Sequence, residues 1–294
     1  MSRKLSIAEW NGETVALYMV ECDGKRDGCD ISLQAGMEVQ FMSEVLGPDE
    51  LVTRLPDVRR WFLEVLDSTL ISPQVRRIRL GSPELQSLQY QVGQDMMLWV
   101  PMQEGRMVFR RYTIRSFDRS TGSVTLDFLR HGGDGPGIRW AEAARPGDRV
   151  EVVGPRGKIT IVAAGWHLFA GDESFVPAAF AMIEALPAGT PALAFLEVAG
   201  PEEEQPLSVS ADVRLTWVYR GETPAGNPTA LVAAVQKAEL PAIPGHAYVG
   251  AELRVASALR RALEERGMEG DLISSKAYWG RGRANAGHGE PNRD

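Results

Sequence analysis

Cysteine is nearly missing from this chain: 2 of 294 residues, Cys22 and Cys29, lie close together in CDGKRDGC. Two thiols are too few to complete a structural zinc site, and a reducing compartment disfavours a disulfide. The pair therefore reads as incidental thiols of a hairpin or loop. Long hydrophobic runs are also absent. No apolar stretch approaches the roughly 18–20 residues needed to cross a bilayer, and MSRKLSIAEWNGETV lacks the apolar centre of a secretory signal. A cytoplasmic protein without membrane insertion is expected. Positive charge is in deficit: the formal net charge is −7, which disfavours nonspecific binding to nucleic acid or to an anionic membrane. Any basic site must be local. The common dinucleotide fingerprint GxGxxG is missing, and no catalytic dyad or metal-ligand cluster is evident.

What is present describes an ordinary folded protein. Hydrophobic residues make up 44%, charged residues 24%, and there are 7 tryptophans, a composition that argues against disorder. The length suffices for two domains with proper cores. Residues 1–58 read as an N-terminal extension of unknown role, with strand-like pieces at Thr14 to Val20 and Met37 to Met42 and a proline-started helix in PDELVTRL. From Arg59 to residue 161 the pattern is short β-runs broken by turns: WFLEVLDS, QVRRIRLGS, QDMMLWVP, MVFRRYTIRS, GSVTLDFLRH and DRVEVVGP. Such spacing predicts an antiparallel barrel or sandwich of about six strands, read here as a six-stranded antiparallel barrel. Val124, Leu126 and Phe128 alternate onto one core-facing side, and Pro146-Gly147-Asp148 reads as a turn before the last strand. Across residues 162–280 near-continuous apolar strands alternate with amphipathic helices, the signature of a parallel α/β sheet covered on both faces. Residues 281–294 read as a disordered tail, and a monomer is expected.

The densest chemistry lies in residues 109–158. FRRYTIRS places Tyr112, Thr113 and Ile114 among Arg110, Arg111 and Arg115 on one strand. The tyrosine offers a stacking face, the threonine a hydroxyl, and the arginines planar forks suited to phosphate. The next strand runs into Gly132-Gly133-Asp134-Gly135-Pro136-Gly137 and a short helix, IRWAEAA. A glycine loop feeding a helix start presents backbone N–H groups to an anion. Taken locally, Tyr112 reads equally as a barrel-surface aromatic and the arginines as a solvated strand face.

Arg110-x-Tyr112-Thr113 resembles the flavin motif of the ferredoxin-reductase-like oxidoreductases. The ordered set RRYTIRSFD, LDFLRHGGDGPGIRWAEAARPGDRVEVVGPRGK, FAGDESFVPA and AYWGRG resembles the siderophore-interacting proteins, a family of FAD-dependent ferric-siderophore reductases. The resemblance covers roughly residues 60–282. It implies an FAD-binding barrel followed by an NAD(P)H-binding domain, with FAD and either NADPH or NADH as cofactors and a ferric siderophore as substrate. By the same resemblance Arg110 contacts the flavin diphosphate, Tyr112 stacks on the isoalloxazine, and Thr113 lies near its reactive nitrogen. Arg115 adds a second cationic contact, Arg111 and Ile114 complete the strand, and His131, Gly132, Gly135, Pro136, Gly137 and Trp140 close round the phosphates. One departure stands out: the family reads GPAS followed by one residue and Trp, whereas Gly137-Ile138 occupies this place and removes the serine hydroxyl.

In the second half, the same resemblance implies that Gly171-Asp172-Glu173-Ser174 corresponds to the loop that meets the nicotinamide cofactor. Its plain reading is a strand-to-helix turn with Ser174 as N-cap. Arg220 pairs with a cofactor phosphate or is surface charge. Glu252 belongs to Gly250-Ala251-Glu252, where the family has Ala-Gly-Glu. Arg260 and Arg261 sit at i,i+4 spacing from Glu264 and Glu265 and read as a solvated helix face. Lys276, Tyr278, Trp279 and Arg281 form an aromatic and basic end suited to an anionic ferric chelate. The alternative is a core tryptophan followed by a frayed basic tail.

Overall fold

The structure, a computed structural model, describes residues 3–10, 13–20, 47–55, 58–102, 105–130, 135–157, 159–207 and 209–281. The first strands, β1 (Arg3–Trp10) and β2 (Glu13–Val20), pair antiparallel. The helix expected in PDELVTRL is α1, Pro48–Arg54, started by proline at its first turn. Cys22, Cys29 and the expected strand at Met37 to Met42 lie outside the described residues.

Six strands then close into a barrel: β3 (Arg59–Ser72), β4 (Val75–Gly81), β5 (Asp95–Pro101), β6 (Met107–Asp118), β7 (Ser123–Leu129) and β8 (Arg149–Arg156). Their order is β3-β4-β7-β6-β5-β8, with β8 pairing both β3 and β5 to leave no edge. Alternation fills the interior: Trp61, Leu63 and Val65 from β3 meet Val124, Leu126 and Phe128 from β7 in one buried cluster. Each such side chain contributes about 1.5–3 kcal/mol on burial. The turn into β8 forms as its chemistry demands. Gly147 takes φ +94° behind Pro146, and Asp148 N–H donates to the Arg145 carbonyl at 3.0 Å. Helix α2 (Pro136–Ala143) spans the gap between β7 and β8.

The second domain is a parallel sheet of five strands, β9 (His167–Gly171), β10 (Pro191–Val198), β11 (Asp212–Tyr219), β12 (His246–Glu252) and β13 (Ile273–Trp279), in the order β11-β10-β9-β12-β13. Strand order reverses between β9 and β12, which marks a crevice beyond their carboxyl ends as the ligand-binding place of such sheets. Helix α3 (Val176–Glu184) is buried from Val176 to Ile183 because it lies between this sheet and β6. Helices α4 (Thr229–Lys237) and α5 (Leu253–Glu265) cover the other face.

Several polar contacts stitch the two domains. Arg115 on β6 grips Glu184 at the end of α3 with two bonds of 2.6 Å. Lys276 on β13 meets Asp95 on β5 at 2.9 Å. Buried Glu203, after β10, accepts from the Ser72 hydroxyl at 2.5 Å and the Gln74 N–H at 3.1 Å at the β3–β4 turn.

Candidate functional site

Strand β6 carries the expected motif, and its period of two divides it. Arg110, Tyr112 and Ile114 turn towards the barrel core and α2, whereas Arg111, Thr113 and Arg115 turn towards the second domain. On the first face the Tyr112 ring packs on Phe128 with centroids 4.0 Å apart, and Trp140 of α2 joins Phe128 at 5.5 Å. A Cβ added to Gly137 would fall 2.0 Å from the Tyr112 hydroxyl and 3.4 Å from Arg110 Cγ. Gly137 thus lets the helix start approach both side chains. Burial raises the Tyr112 phenol well above its ordinary pKa, with Arg110 pulling weakly the other way.

Helix α2 begins with Gly135 as N-cap and Pro136 in its first turn, and no side chain caps it. Its first-turn amides carry the positive end of the helix dipole beside the stem of Arg110, whose guanidinium donates to the Phe109 carbonyl at 2.8 Å. That donor set fits the diphosphate of a flavin dinucleotide. Ile138, which replaces the serine of the family pattern, is buried, so this position serves packing instead of anion binding. His131 and Gly132 lie outside the described residues.

On the second face the arginines have other partners than phosphate. Arg111 holds Asp95 through contacts of 2.8–3.1 Å. Arg115 is buried, with both terminal nitrogens on Glu184 and its guanidinium over the Phe180 ring. Arg115, expected as a second cationic contact on the diphosphate or ribityl side of the flavin, is held here in a pairing between domains. Lys276 also departs from expectation. Its ammonium is bound to Asp95 and lies 5.0 Å from the Tyr278 ring centre, which makes it part of the seam and not an open cation for substrate. Desolvation lowers the Lys276 pKa, against the pull of Asp95. Asp95 also loses hydration, yet Lys276 and Arg111 hold its pKa below the ordinary range.

Tyr278 reaches the barrel through a bulge. The β12–β13 register skips from Ala251↔Ala277 to Glu252↔Trp279, which leaves Tyr278 without a ladder partner and re-aims it. Its phenol, raised by burial, lies close enough to Thr113 to feel that hydroxyl. A Cβ on Gly250 would meet Phe175 at 2.3 Å and Tyr278 at 2.7 Å. The glycine at 250 is thus explained by these two rings, which meet edge to face at 5.8 Å. Gly171, in register with Gly250, would press a Cβ to 2.0 Å from the Gly250 carbonyl.

Asp172, just past β9, ties the crevice together. One carboxylate oxygen accepts from the Ser174 N–H at 3.0 Å and hydroxyl at 2.5 Å. The other accepts from the Glu252 N–H at 2.8 Å and the Trp279 indole at 2.9 Å. Burial nevertheless raises its pKa. Ser174 is thereby engaged, and the N-cap of α3 is Phe175 instead, because the serine hydroxyl turns back to Asp172. Glu252 caps α5 through Arg254 N–H at 2.6 Å. Arg220 is not surface charge: it pairs with Glu173 at 2.7 Å. Arg281 is exposed and donates to the Ala225 carbonyl. Asp95, Glu184 and Glu197 are the residues that sequence reasoning missed. Their only signal was an acid inside an otherwise apolar stretch.

These sites sit on a fold with known relatives. One family model, described as siderophore-interacting protein, matches residues 164–282, and another, described as siderophore-interacting FAD-binding domain, matches residues 88–159. This chain belongs to the siderophore-interacting protein family. An uncharacterised protein of Mycobacterium tuberculosis is 37% identical over 59% of this chain, which spans 65% of that relative's length. Ferric vibriobactin reductase ViuB of Vibrio cholerae is 31% identical, with 64% of this chain and 69% of that protein covered. A siderophore utilization protein from T. fusca has a TM-score of 0.71 at 32% identity, covering 79% of this chain and 97% of that one. The family's barrel and sheet also match a ferredoxin-NADP+ reductase from Plasmodium falciparum, at a TM-score of 0.58 and 10% identity over 75% of this chain and 97% of that one, a likeness of fold alone. Among the described residues no helix is long and apolar enough to cross a membrane, and no group of three His, Cys, Asp or Glu side chains is placed to hold a metal ion.

Proposed function

We propose that this protein is a cytoplasmic reductase that passes electrons from NADH or NADPH through FAD to a ferric siderophore and releases ferrous iron. The observation that carries this reading is the position of β6, whose Arg110 and Tyr112 face the uncapped start of α2 while Thr113 faces the end of the parallel sheet. One strand thus joins a place for a flavin diphosphate to the crevice where nucleotides bind in sheets of this order.

When bound, FAD supplies hydride acceptance and single-electron delivery, chemistry that no side chain here offers. Arg110 and the α2 amides would hold its diphosphate, and Tyr112 and Thr113 would orient its ring. The chain needs no acid or base of its own for electron transfer. Its task is to place donor and acceptor and to keep water from the joint, where Tyr278 and Phe175 already crowd the sheet end.

An anaerobic absorbance titration of the purified protein with NADH and then NADPH, followed by a ferric triscatecholate and a ferrous trap, tests the reading. Bleaching of a flavin band and its return with trapped Fe(II) is the expected result. A second reading, a flavin- or siderophore-binding protein without turnover, is favoured by Ile138 in place of serine and by Tyr278 lying beside Thr113. A bound flavin that neither nucleotide bleaches would select it.

A further inference from the structure

Glu197 is the penultimate residue of β10, the second strand of the parallel sheet in chain order. It is 2% exposed. Among the described residues no donor makes a hydrogen bond to its carboxylate. Burial, reinforced by Glu173 and then Asp172, pushes its pKa up to about 7, with Arg220 alone opposing. The Glu197 oxygens are not among the sealed atoms that lack a partner, so the carboxylate keeps an edge to which a ligand hydroxyl could donate.

Its place in the sheet says which donors would suit it. In parallel sheets whose strand order reverses, a dinucleotide lies across the carboxyl ends. An acid ending the second strand receives the ribose hydroxyls of NAD, whereas a nearby arginine accommodates the 2′-phosphate of NADP. The arginine near Glu197 is Arg220, at the end of β11. Its guanidinium is bound to Glu173 at 2.7 Å, with the two side chains only 11% and 9% exposed. Glu173 itself is pushed up to about 7 by burial and by Asp172. A doubly charged phosphate arriving here would meet Asp172, Glu173 and Glu197 against one arginine already paired.

We propose that Glu197 accepts the ribose hydroxyls of the nicotinamide donor and that Asp172, Glu173 and Glu197 together exclude a 2′-phosphate, making NADH the donor. This rests on the reading that the sheet binds a nicotinamide nucleotide.

Calorimetric titration of the full chain with ADP-ribose and with 2′-phospho-ADP-ribose tests it without turnover. ADP-ribose should bind at least tenfold more tightly. Glu197→Gln should weaken ADP-ribose about tenfold and, with one of the three excluding acids neutralised, tighten the phosphorylated fragment by up to about threefold. Glu173→Gln, which releases Arg220, should tighten the phosphorylated fragment about tenfold. Glu197→Asp keeps the charge and should retain the preference for ADP-ribose, a control that stands if the glutamine variant does not fold. Tighter binding of the phosphorylated fragment to the unaltered protein would overturn the proposal while leaving a nucleotide donor in place. An unchanged ratio in a folded Glu197→Gln protein would also overturn it. Binding of neither fragment would remove the proposal and the donor reading together.

Discussion

Asp95→Ala tests the seam between the domains directly. The carboxylate sits between Arg111 and Lys276, with Arg156 close enough to be affected by both Arg111 and Asp95. Removing it leaves cations facing one another in a site where Asp95 and Lys276 are nearly desolvated. Breaking a buried pair from one side costs about 3–5 kcal/mol, and for a chain of this size that lowers the melting temperature by roughly 6–15 °C. Lys276→Met should cost much less, about 1.5–3 kcal/mol at most, because Asp95 keeps its bidentate arginine. Thermal unfolding of both variants, compared with their KM for an anionic ferric chelate, separates structure from substrate binding. A Lys276→Met protein that melts like the parent but shows a raised KM for the chelate would refute the seam assignment and restore Lys276 as a substrate contact.

Other perturbations follow from the same geometry. Arg110→Ala combined with Tyr112→Ala should abolish flavin retention while leaving the barrel folded, as read by the absorbance of the purified protein and its far-ultraviolet dichroism. Ile138→Ser should show opposed effects. The new hydroxyl beside a phosphate tightens FAD by up to about 1.5–3 kcal/mol, while the lost burial lowers the melting temperature of the flavin-free protein. The stability contributed by Glu173 and Glu197 should decline as pH rises from about 5 to 8, against the opposite trend of His167 and His246, whose pKa values burial lowers. Glu173 and Glu197 have folded pKa values raised from 4.5 to about 7, so between those values the folded state binds more protons than the unfolded one, and rising pH removes that advantage. Glu197→Gln should flatten the curve of melting temperature against pH. A curve of unchanged slope would contradict the burial of that charge.

The barrel and the parallel sheet were legible because both are written in short-range patterns. Alternation in β7 and the Pro146-Gly147 turn specify antiparallel strands, and apolar strands interrupted by helices specify the sheet. The residue assignments on β6 were legible in type but not in direction. Giving Arg110 and Arg115 both to the flavin ignored the alternation that sends Arg111 and Arg115 to the opposite face. Their partners Asp95 and Glu184 come from other elements, 16 and 69 residues away in sequence, and only tertiary pairing brings them near. The glycine at 250 had the same difficulty. Its neighbours Phe175 and Tyr278 belong to a distant helix start and to a bulged strand, and no local pattern announces a ring against a backbone.

The bulge at Tyr278 sets how this crevice opens. With Glu203, Glu184 and Lys276 each fastening the sheet to the barrel, swinging the domains apart would break several desolvated contacts at once, whereas turning one tyrosine about its own bonds breaks far fewer. A flat ring seeking Thr113 from the sheet side must therefore compete with a tenant that is permanently tethered next door. Its observed affinity is its intrinsic affinity scaled by the fraction of time the phenol is away. On the donor reading proposed above, the residue that shields the joint is also an internal competitor, and the strength of its hold would set the donor concentration that binding requires.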